Sequence, residues 1–435
     1  MLQKIGIRYE DKYKLERRVA LIPQHIKELI DSIGLKFEIQ TSEKRIFSDK
    51  EFEQVGAQIV DSLENSSIIM GVKEMPIDFF EATKTYIFFS HVIKGQEYNM
   101  PMLKKMMELK CNLIDYEKVA DEKGRRIIFF GKYAGLAGMI NSLWSLGQRL
   151  KIKGYDTPFL RIKQSYTYNS LEEAKEDIRK TGQEIKENGL PKEICPLTIG
   201  FTGYGNVSKG AQEITNLLPT IEISPEELLE IDNQTVISSN LIYNVVFEEK
   251  DISKHKTNPE QFELQHYYNH PEEYINDFEK YVPNLSVLMN CMYWDDKYPR
   301  IISKNFISKL NREGKLKLEV IGDVTCDPDG SIELTHMGTH IEDPVFVYSP
   351  VTGKPTMGFD GEGILIMAVD ILPSELPRES SEEFSNALKP FMEAIATADY
   401  NMSTELLNLP DAIKKALILH KGELTEQYKY IEKFL

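Results

Sequence analysis

Short apolar runs alternate with amphipathic helical segments over residues 1–130, and no other feature of the chain limits its fold as much. Residues 3–8 (QKIGIR), 36–40 (KFEIQ), 67–72 (SIIMGV), 85–90 (TYIFFS) and 112–115 read as strands. Residues 23–33 read as a helix, with Pro23 in its first turn and Ile26, Leu29, Ile30 and Ile33 on one face. Residues 99–109 read as a second helix. Strands separated by helices cannot pair as hairpins, so the alternation predicts a mostly parallel sheet covered by helices. The pattern resumes after a small-residue helix over 134–151 and a strongly charged helix over 171–189. Strands are expected at PLTIGFT, PTIEIS, 286–290, 317–323 and 364–370, and a helical tail from 381. Residues 225–285 are polar with weak periodicity and receive no assignment.

The fold class that follows is α/β, with two Rossmann-like domains built on parallel sheets and an active site in the cleft between them. The expected division is residues 1–133 plus 380–435 for the substrate and catalytic domain, and 134–379 for the dinucleotide-binding domain. A length of 435 residues suits two or three domains. With 52 Lys and Arg against 68 Asp and Glu, the net charge of −16 argues against nucleic-acid or anionic-membrane partners. Cys111, Cys195, Cys291 and Cys326 form no CxxC pair, and no Cys/His group has zinc spacing, so no metal is expected. Scattered cysteines, no long apolar run and an N-terminus without a signal-peptide core lead to the expectation of a cytoplasmic protein. Whether it forms a homo-oligomer is left open.

The chemistry begins at Gly203-Tyr-Gly205-Asn206-Val207-Ser208-Lys-Gly210, between an apolar strand and a helical segment. A dinucleotide turn needs glycine where the backbone bends sharply and where it approaches the pyrophosphate. The helix N-terminus then offers free N–H groups to the phosphates. A standard fingerprint has glycine where this chain has Ser208, with the third glycine displaced to Gly210. A plain structural turn is the alternative, and the strand–turn–helix context favours the nucleotide. Glu222, near the end of the next strand, is the expected ribose-binding residue. The choice between NAD and NADP stays open because the end of that strand is not sharply defined.

Ionisable residues follow two strands of the first domain. Lys73 and Glu74 follow SIIMGV, and His91 follows TYIFFS. Ligands of open α/β sheets bind beyond the C-terminal strand ends, so these positions are candidate acid–base groups. Residues 1–20 carry Lys4, Arg8, Lys12, Lys14, Arg17 and Arg18 against Glu10, Asp11 and Glu16. This is either a solvated basic face or a carboxylate-binding site.

The segments GIRYEDKYKLERRVALIP, GVKEMP, FFSHVIKGQEYNMP, LIDYEKVADEKGRRIIFFGKYAGLAGM, FTGYGNVSKGAQEI, MNCMYW, IGDVTCDPDGSIE and AVDILPSELPRESSEEFS resemble lysine-forming saccharopine dehydrogenases. They resemble in particular the lysine–2-oxoglutarate reductase half of bifunctional aminoadipic semialdehyde synthases, and more distantly alanine dehydrogenase and transhydrogenase. The resemblance implies NAD(P)-dependent cleavage of saccharopine to lysine and 2-oxoglutarate, or the reverse. It implies Lys73 as the base at the secondary amine and His91 as the group that activates water. Glu74 and Glu117 would tune that pair, and Arg18, Arg126 and Phe130 would hold the substrate. Gly203, Gly205 and Gly210 would form the pyrophosphate turn, with Asn206, Val207 and Ser208 as further cofactor-binding residues of that turn, ahead of a helix at AQEITNLL. The segment from Asn290 through Cys291 to Tyr293, and Asp370, would lie near the nicotinamide. The saccharopine-oxidising half is absent from the chain, so a monofunctional enzyme is expected, with its physiological direction open. An alanine dehydrogenase-type enzyme and a non-catalytic nucleotide-binding relative are the alternatives, and the cations around Arg126 favour the larger, multiply charged substrate.

Overall fold

The computed structural model describes residues 3–233 and 237–435. The first two residues of the N-terminus considered for a leader, and residues 234–236 within the unassigned 225–285 stretch, lie outside the described residues. The chain forms two compact units, Met1–Phe130 with Pro377–Leu435, and Gly131–Leu376. Among the described residues no helix is long and apolar enough to cross a membrane.

The strands run in chain order. The first six are β1 (Ile5–Ile7), β2 (Phe37–Gln40), β3 (Gln58–Val60), β4 (Ile68–Met70), β5 (Thr85–Phe88) and β6 (Asn112–Asp115). Next come β7 (Leu197–Thr202), β8 (Thr220–Glu222), β9 (Ile242–Phe247), β10 (Ser253–His255), β11 (Tyr274–Asn276), β12 (Val287–Asn290) and β13 (Val320–Asp323). The last five are β14 (Val345–Tyr348), β15 (Pro355–Met357), β16 (Ile364–Met367), β17 (Leu417–His420) and β18 (Glu423–Leu424). Each unit holds an eight-stranded sheet, in the orders β18-β17-β6-β5-β4-β1-β2-β3 and β15-β14-β16-β13-β12-β7-β9-β8. The central pairs are parallel and each sheet is extended by antiparallel strands at one edge. The parallel strands β1 and β4 are fully buried, as a sheet covered on both faces requires.

Helix α1 (Pro23–Ile33) forms where its apolar stripe and Pro23 place it, burying Ile26 and Leu29 and stopping at Gly34 in the left-handed region. Two expectations need correction. The tail from 381 is not simply helical. After helix Pro377–Leu388 it returns as β17, antiparallel to β6, and β18, antiparallel to β17. The apolar run Leu417-Ile-Leu ends in a two-residue turn, Lys421-Gly422, whose positive φ values of 51° and 81° suit a tight hairpin. The glycine-turn helix, α3 (Asn206–Thr215), also starts earlier, within the stretch that the sequence assigns to the turn.

The second unit opens with α2 (Gly131–Ile152), which packs against α3 (Asn206–Thr215). The two backbones touch through glycines. A Cβ on Gly210 would lie 2.2 Å from the Lys132 carbonyl oxygen, and one on Gly135 would lie 1.9 Å from that of Val207. Both distances are impossible for a side chain, so the small-residue stretch of α2 and Gly210 are explained by this close approach.

Candidate functional site

In the first unit, β4 and β5 are parallel neighbours, with Met70 opposite Ile87. Their C-terminal ends place Lys73, Glu74 and His91 together. His91 sits at φ 51°, a conformation uncommon for a residue with a Cβ, and its carbonyl accepts the Asn99 amide at 3.3 Å. Just before it, Ser90 donates its backbone N–H and its hydroxyl to Asp115, a fully buried carboxyl on β6. Asp115 also accepts the Glu117 backbone N–H at 2.8 Å. Burial pushes the Asp115 carboxyl up, and the hydrogen bonds from Ser90 and the Glu117 N–H work against that. The strand end carrying His91 is therefore pinned from two sides.

Glu74 Oε1 receives His91 Nδ1 at 2.7 Å and the Lys12 ammonium at 2.6 Å. Its other oxygen, Oε2, is buried with no hydrogen-bond partner. Burial pushes this carboxyl up, but the hydrogen bond and charge of His91, with Lys12, outweigh burial and bring it down to about 2. An ionised carboxylate can only accept, so Nδ1 of His91 carries a proton. In the neutral ring Nε2 then holds the lone pair.

The backbone ahead of Lys73 is fixed by Glu10, a residue the sequence reading used only as a countercharge. Its two oxygens accept the N–H groups of Val72 at 2.6 Å and Lys73 at 2.9 Å. Burial, and then the nearby charge of Glu16, push the Glu10 carboxyl up to about 7. The Lys73 ammonium lies 5.7 Å from the centre of the Tyr13 ring, and its charge helps hold the buried Glu16 ionised.

The basic N-terminal segment is more neutral than its composition suggests. Arg18 is buried and forms a two-pronged pair with Glu16, Nε to Oε1 at 2.7 Å and Nη2 to Oε2 at 2.5 Å. Arg8 pairs with Asp11, and Lys4 with Glu38. Burial opposes ionisation of Glu16, and the Arg18 charge and hydrogen bonds more than offset it, so its carboxyl lies below the usual range.

Both substrate arginines inferred from the resemblance rest on one aromatic cluster. Arg18 lies over Phe130 at 4.2 Å and the exposed Arg126 over Phe89 at 5.8 Å. Phe89 also lies parallel to the His91 ring at 6.2 Å. Phe384, from the tail, stacks on Phe130 at 4.8 Å and meets Tyr116 edge-on at 4.9 Å. The structure thus brings Lys73, Glu74, His91, Arg18, Arg126 and Phe130 into one connected set. Glu117 joins it through its backbone bond to Asp115, while its carboxylate charge is felt at Asp115, Tyr428 and Tyr430.

In the second unit, Gly203 follows β7 with φ 78°, which favours glycine, and its N–H bonds the Phe247 carbonyl at the end of β9. Gly205 is the N-cap of α3. No side chain caps that helix, and a Cβ on Gly205 would meet nothing within 4 Å. Open space in front of uncapped N–H groups is what a dinucleotide pyrophosphate requires. Gly203, Gly205, Cys291 and Tyr293 line one cavity of about 360 Å³. Asn206, Val207 and Ser208 lie in the first turn of α3, where Ser208 is buried and accepts the Gln212 amide at 2.8 Å. Gly210 lies mid-helix against α2 and is not part of the turn, contrary to the sequence assignment. Behind the turn a buried network ties three strand ends together. Thr202 donates to Asn290 at 2.9 Å, and Asn290 donates to Asp323 at 2.8 Å. Burial raises the Cys291 thiol.

Two further residues, Asp370 and Glu222, lie outside the cavity lining. Asp370 is exposed after β16, three strands from β7 on the same edge, and accepts the Cys326 thiol at 3.7 Å. Glu222 is exposed on the edge strand β8, which β9 separates from β7, and it does not line the cavity. The 225–285 stretch, unassigned in the sequence, supplies β9 and the cavity wall formed by Glu249, Ile252, Tyr267 and Tyr268. Folding also gathers His255, His266 and Glu273 within 4.8 Å, despite the lack of zinc spacing. There His255 Nδ1 accepts the N–H groups of Thr257 and Asn258, so its Nε2 carries a proton toward Glu273.

One eight-stranded unit with an uncapped glycine turn, and one with a Lys/His/Glu cluster at its strand ends, define a two-unit α/β protein of Rossmann type. The chain belongs to the alanine dehydrogenase/PNT family, whose N-terminal domain model matches residues 6–137 and whose C-terminal domain model matches residues 256–427. It is 41% identical to alpha-aminoadipic semialdehyde synthase of Arabidopsis thaliana, over 98% of this chain and 41% of that protein. It is 36% identical to the mitochondrial enzyme of that name from Bos taurus, over 99% of this chain and 47% of that one. The chain therefore spans less than half the length of these relatives. It is 28% identical to saccharopine dehydrogenase [NAD(+), L-lysine-forming] of Emericella nidulans, over 89% of this chain and 90% of that one. Among solved structures, L-alanine dehydrogenase superposes with a TM-score of 0.61 at 16% identity, covering 99% of this chain and 98% of that one. The Sinorhizobium meliloti transhydrogenase gives 0.51 at 12%, covering 97% and 99%. These two likenesses concern the fold.

Proposed function

We propose that this chain is a lysine-forming saccharopine dehydrogenase, equivalently a lysine–2-oxoglutarate reductase. It would convert saccharopine, NAD(P)⁺ and water to L-lysine, 2-oxoglutarate and NAD(P)H, reversibly. The observation that carries the proposal is the Lys73, Glu74 and His91 cluster on adjacent strand ends, with Arg18 and Arg126 on the aromatic cluster beside it. Saccharopine bears three carboxylates, so its site needs several cations, whereas alanine needs fewer.

The bound dinucleotide supplies the hydride acceptor, held at Gly203, Gly205 and the N-terminus of α3. Lys73 takes the proton of the secondary amine as the adjacent carbon loses its hydride. His91 then accepts a proton at Nε2 from the water that adds to the resulting imine, and returns it to the departing lysine amine. Glu74 fixes the His91 ring and stabilises its charged form. Glu117 acts on the pair through Asp115. Glu16 occupies the Nε–Nη2 edge of Arg18, so the Nη1 edge meets a substrate carboxylate, with Phe130 beneath it, and Arg126 meets a second. Cys291, Tyr293 and Asp370 stand on the dinucleotide side. The free cysteines fit a cytoplasmic setting.

The test is a matrix of saccharopine, lysine with 2-oxoglutarate, ornithine with 2-oxoglutarate, and alanine, each with NAD(H) and NADP(H), followed at the nicotinamide absorbance band. Turnover is expected with saccharopine and with lysine plus 2-oxoglutarate. Turnover with alanine alone would replace this reading by the alanine dehydrogenase type.

A further inference from the structure

We infer that His255, His266 and Glu273 form a binding site for a divalent transition-metal cation of the zinc class, independently of the dinucleotide reading above.

The β10–β11 hairpin brings the three residues together. Its strands pair antiparallel with His255 opposite Tyr274, and the Lys256 N–H bonds the Glu273 carbonyl at 2.9 Å. Glu273, one place before Tyr274, therefore lies beside His255. Helix α4 (Leu264–Asn269), in the connection between the two strands, supplies His266. Glu273 Oε2 is 3.1 Å from His255 Nε2 and 3.9 Å from His266 Nε2, and the three ligand atoms lie within 4.8 Å of one another. Ligands about 2.0–2.1 Å from a tetrahedral Zn²⁺ stand about 3.4 Å apart. A small inward movement of the exposed Glu273 and the half-buried imidazoles therefore completes the set.

The ring of His266 is already set for a metal. The Tyr274 hydroxyl donates to the Glu263 carbonyl at 3.4 Å, which leaves its oxygen to accept the His266 Nδ1–H at 3.1 Å. In the neutral ring the lone pair is then on Nε2 and faces the Glu273 carboxylate with no proton between them. A cation between the two relieves that opposition, and an outer acceptor on the far ring nitrogen is what a metal-bound histidine ordinarily has. His255 holds its proton on Nε2, so metal binding there moves the proton to Nδ1. The Thr257 hydroxyl, 3.2 Å from Nδ1, accepts it in place of the bonds from the exposed Thr257 and Asn258 N–H groups. A cavity of about 380 Å³ lined by His255, His266, Gln261, Glu263 and Tyr274 leaves room for the cation and its water. Two imidazoles and one carboxylate suit Zn²⁺, Co²⁺ or Ni²⁺, whereas Ca²⁺ and Mg²⁺ prefer oxygen throughout. Three protein ligands leave the fourth position to water.

The experiment strips the intact protein with EDTA and titrates it with Co²⁺, following visible absorption, with Zn²⁺ and Mg²⁺ as competitors. A single saturable site is expected, emptied of Co²⁺ by Zn²⁺ and not by Mg²⁺. Zn²⁺ should also raise the thermal unfolding midpoint by about 2 °C or more. His266→Ala and Glu273→Gln are each expected to weaken Co²⁺ by about tenfold or more and to remove the thermal shift, while His270→Ala, beside the site, keeps the wild-type affinity. Unfolding of each metal-free variant checks that it is folded, and His266→Gln replaces His266→Ala if it is not. No saturable Co²⁺ binding by wild type would overturn the inference. So would equal displacement by Mg²⁺, an affinity unchanged in both the His266 and Glu273 variants, or binding lost in His270→Ala and kept in the His266 variant.

Discussion

The two sheets have the same plan, with a parallel centre and an antiparallel flank, yet their C-terminal edges are built from opposite materials. The edge of β4 and β5 carries titratable groups held by other charges, with Glu74 between His91 and Lys12, Glu16 against Arg18, and Glu10 beneath Lys73. The edge of β7, β12 and β13 carries glycine, backbone N–H groups and the Thr202, Asn290 and Asp323 network. On the proposed function, one edge would move protons and the other would let a ligand approach the backbone. An α/β sheet offers both options at the same topological position, and the residues one to three places past each strand decide which is used.

This contrast can be broken at several points. The largest effect is expected at His91. His91→Gln should lower saccharopine turnover by about 10²–10⁴-fold, with NADH binding unchanged by fluorescence titration. A loss of NADH binding would show that the two edges are not independent. Gly210→Val should cost about 3 kcal/mol or more in chemical denaturation, because its side chain must displace the backbone of α2. Gly205→Ala, with open space around it, should stay within about 0.5 kcal/mol of wild type and instead weaken dinucleotide binding.

The charged edge should also show itself in the pH dependence of stability. Glu10 has its carboxyl raised to about 7 in the folded state. Its contribution is complete below the unfolded value near 4.5 and is lost as pH rises toward 7, by at most about 3 kcal/mol. Glu10→Gln should flatten that slope in denaturation midpoints taken between pH 5 and 8. Glu74, lowered to about 2, acts in the opposite sense, and its contribution is lost as pH falls from about 4.5 toward 2. A modest effect is expected for Phe384→Leu. Loss of the stack on Phe130 should cost about 1 kcal/mol of stability and raise KM for saccharopine a few-fold, with kcat little changed.

The pattern of the sequence reveals some of this architecture and hides the rest for physical reasons. The extent of α1 is readable because its apolar stripe and Pro23 are local signals. Lys73 and His91 stand out because each follows an apolar strand. The tail hairpin is obscured because the apolar run of β17 resembles a buried helix segment. Strand β9 is obscured because polar residues crowd its ends, and its insertion beside β7 leaves Glu222 on the outer strand β8. The partners of the site residues are harder still. Glu10, Lys12, Asp115 and Phe384 meet Lys73, Glu74, Ser90 and Phe130 only through strand order and the returning tail, and periodicity carries no trace of such contacts. The positive charge of residues 1–20 overstates the cation count of the site, because Arg8 and Arg18 are matched by Asp11 and Glu16 within three positions.

The division of labour between the two edges is tested most directly by the Lys73→Met, His91→Gln double variant, measured for saccharopine turnover and for NADH affinity in the same preparation. The account expects turnover to fall by about 10⁴-fold or more while the NADH dissociation constant stays within about twofold of wild type. Full saccharopine turnover by that variant would contradict it.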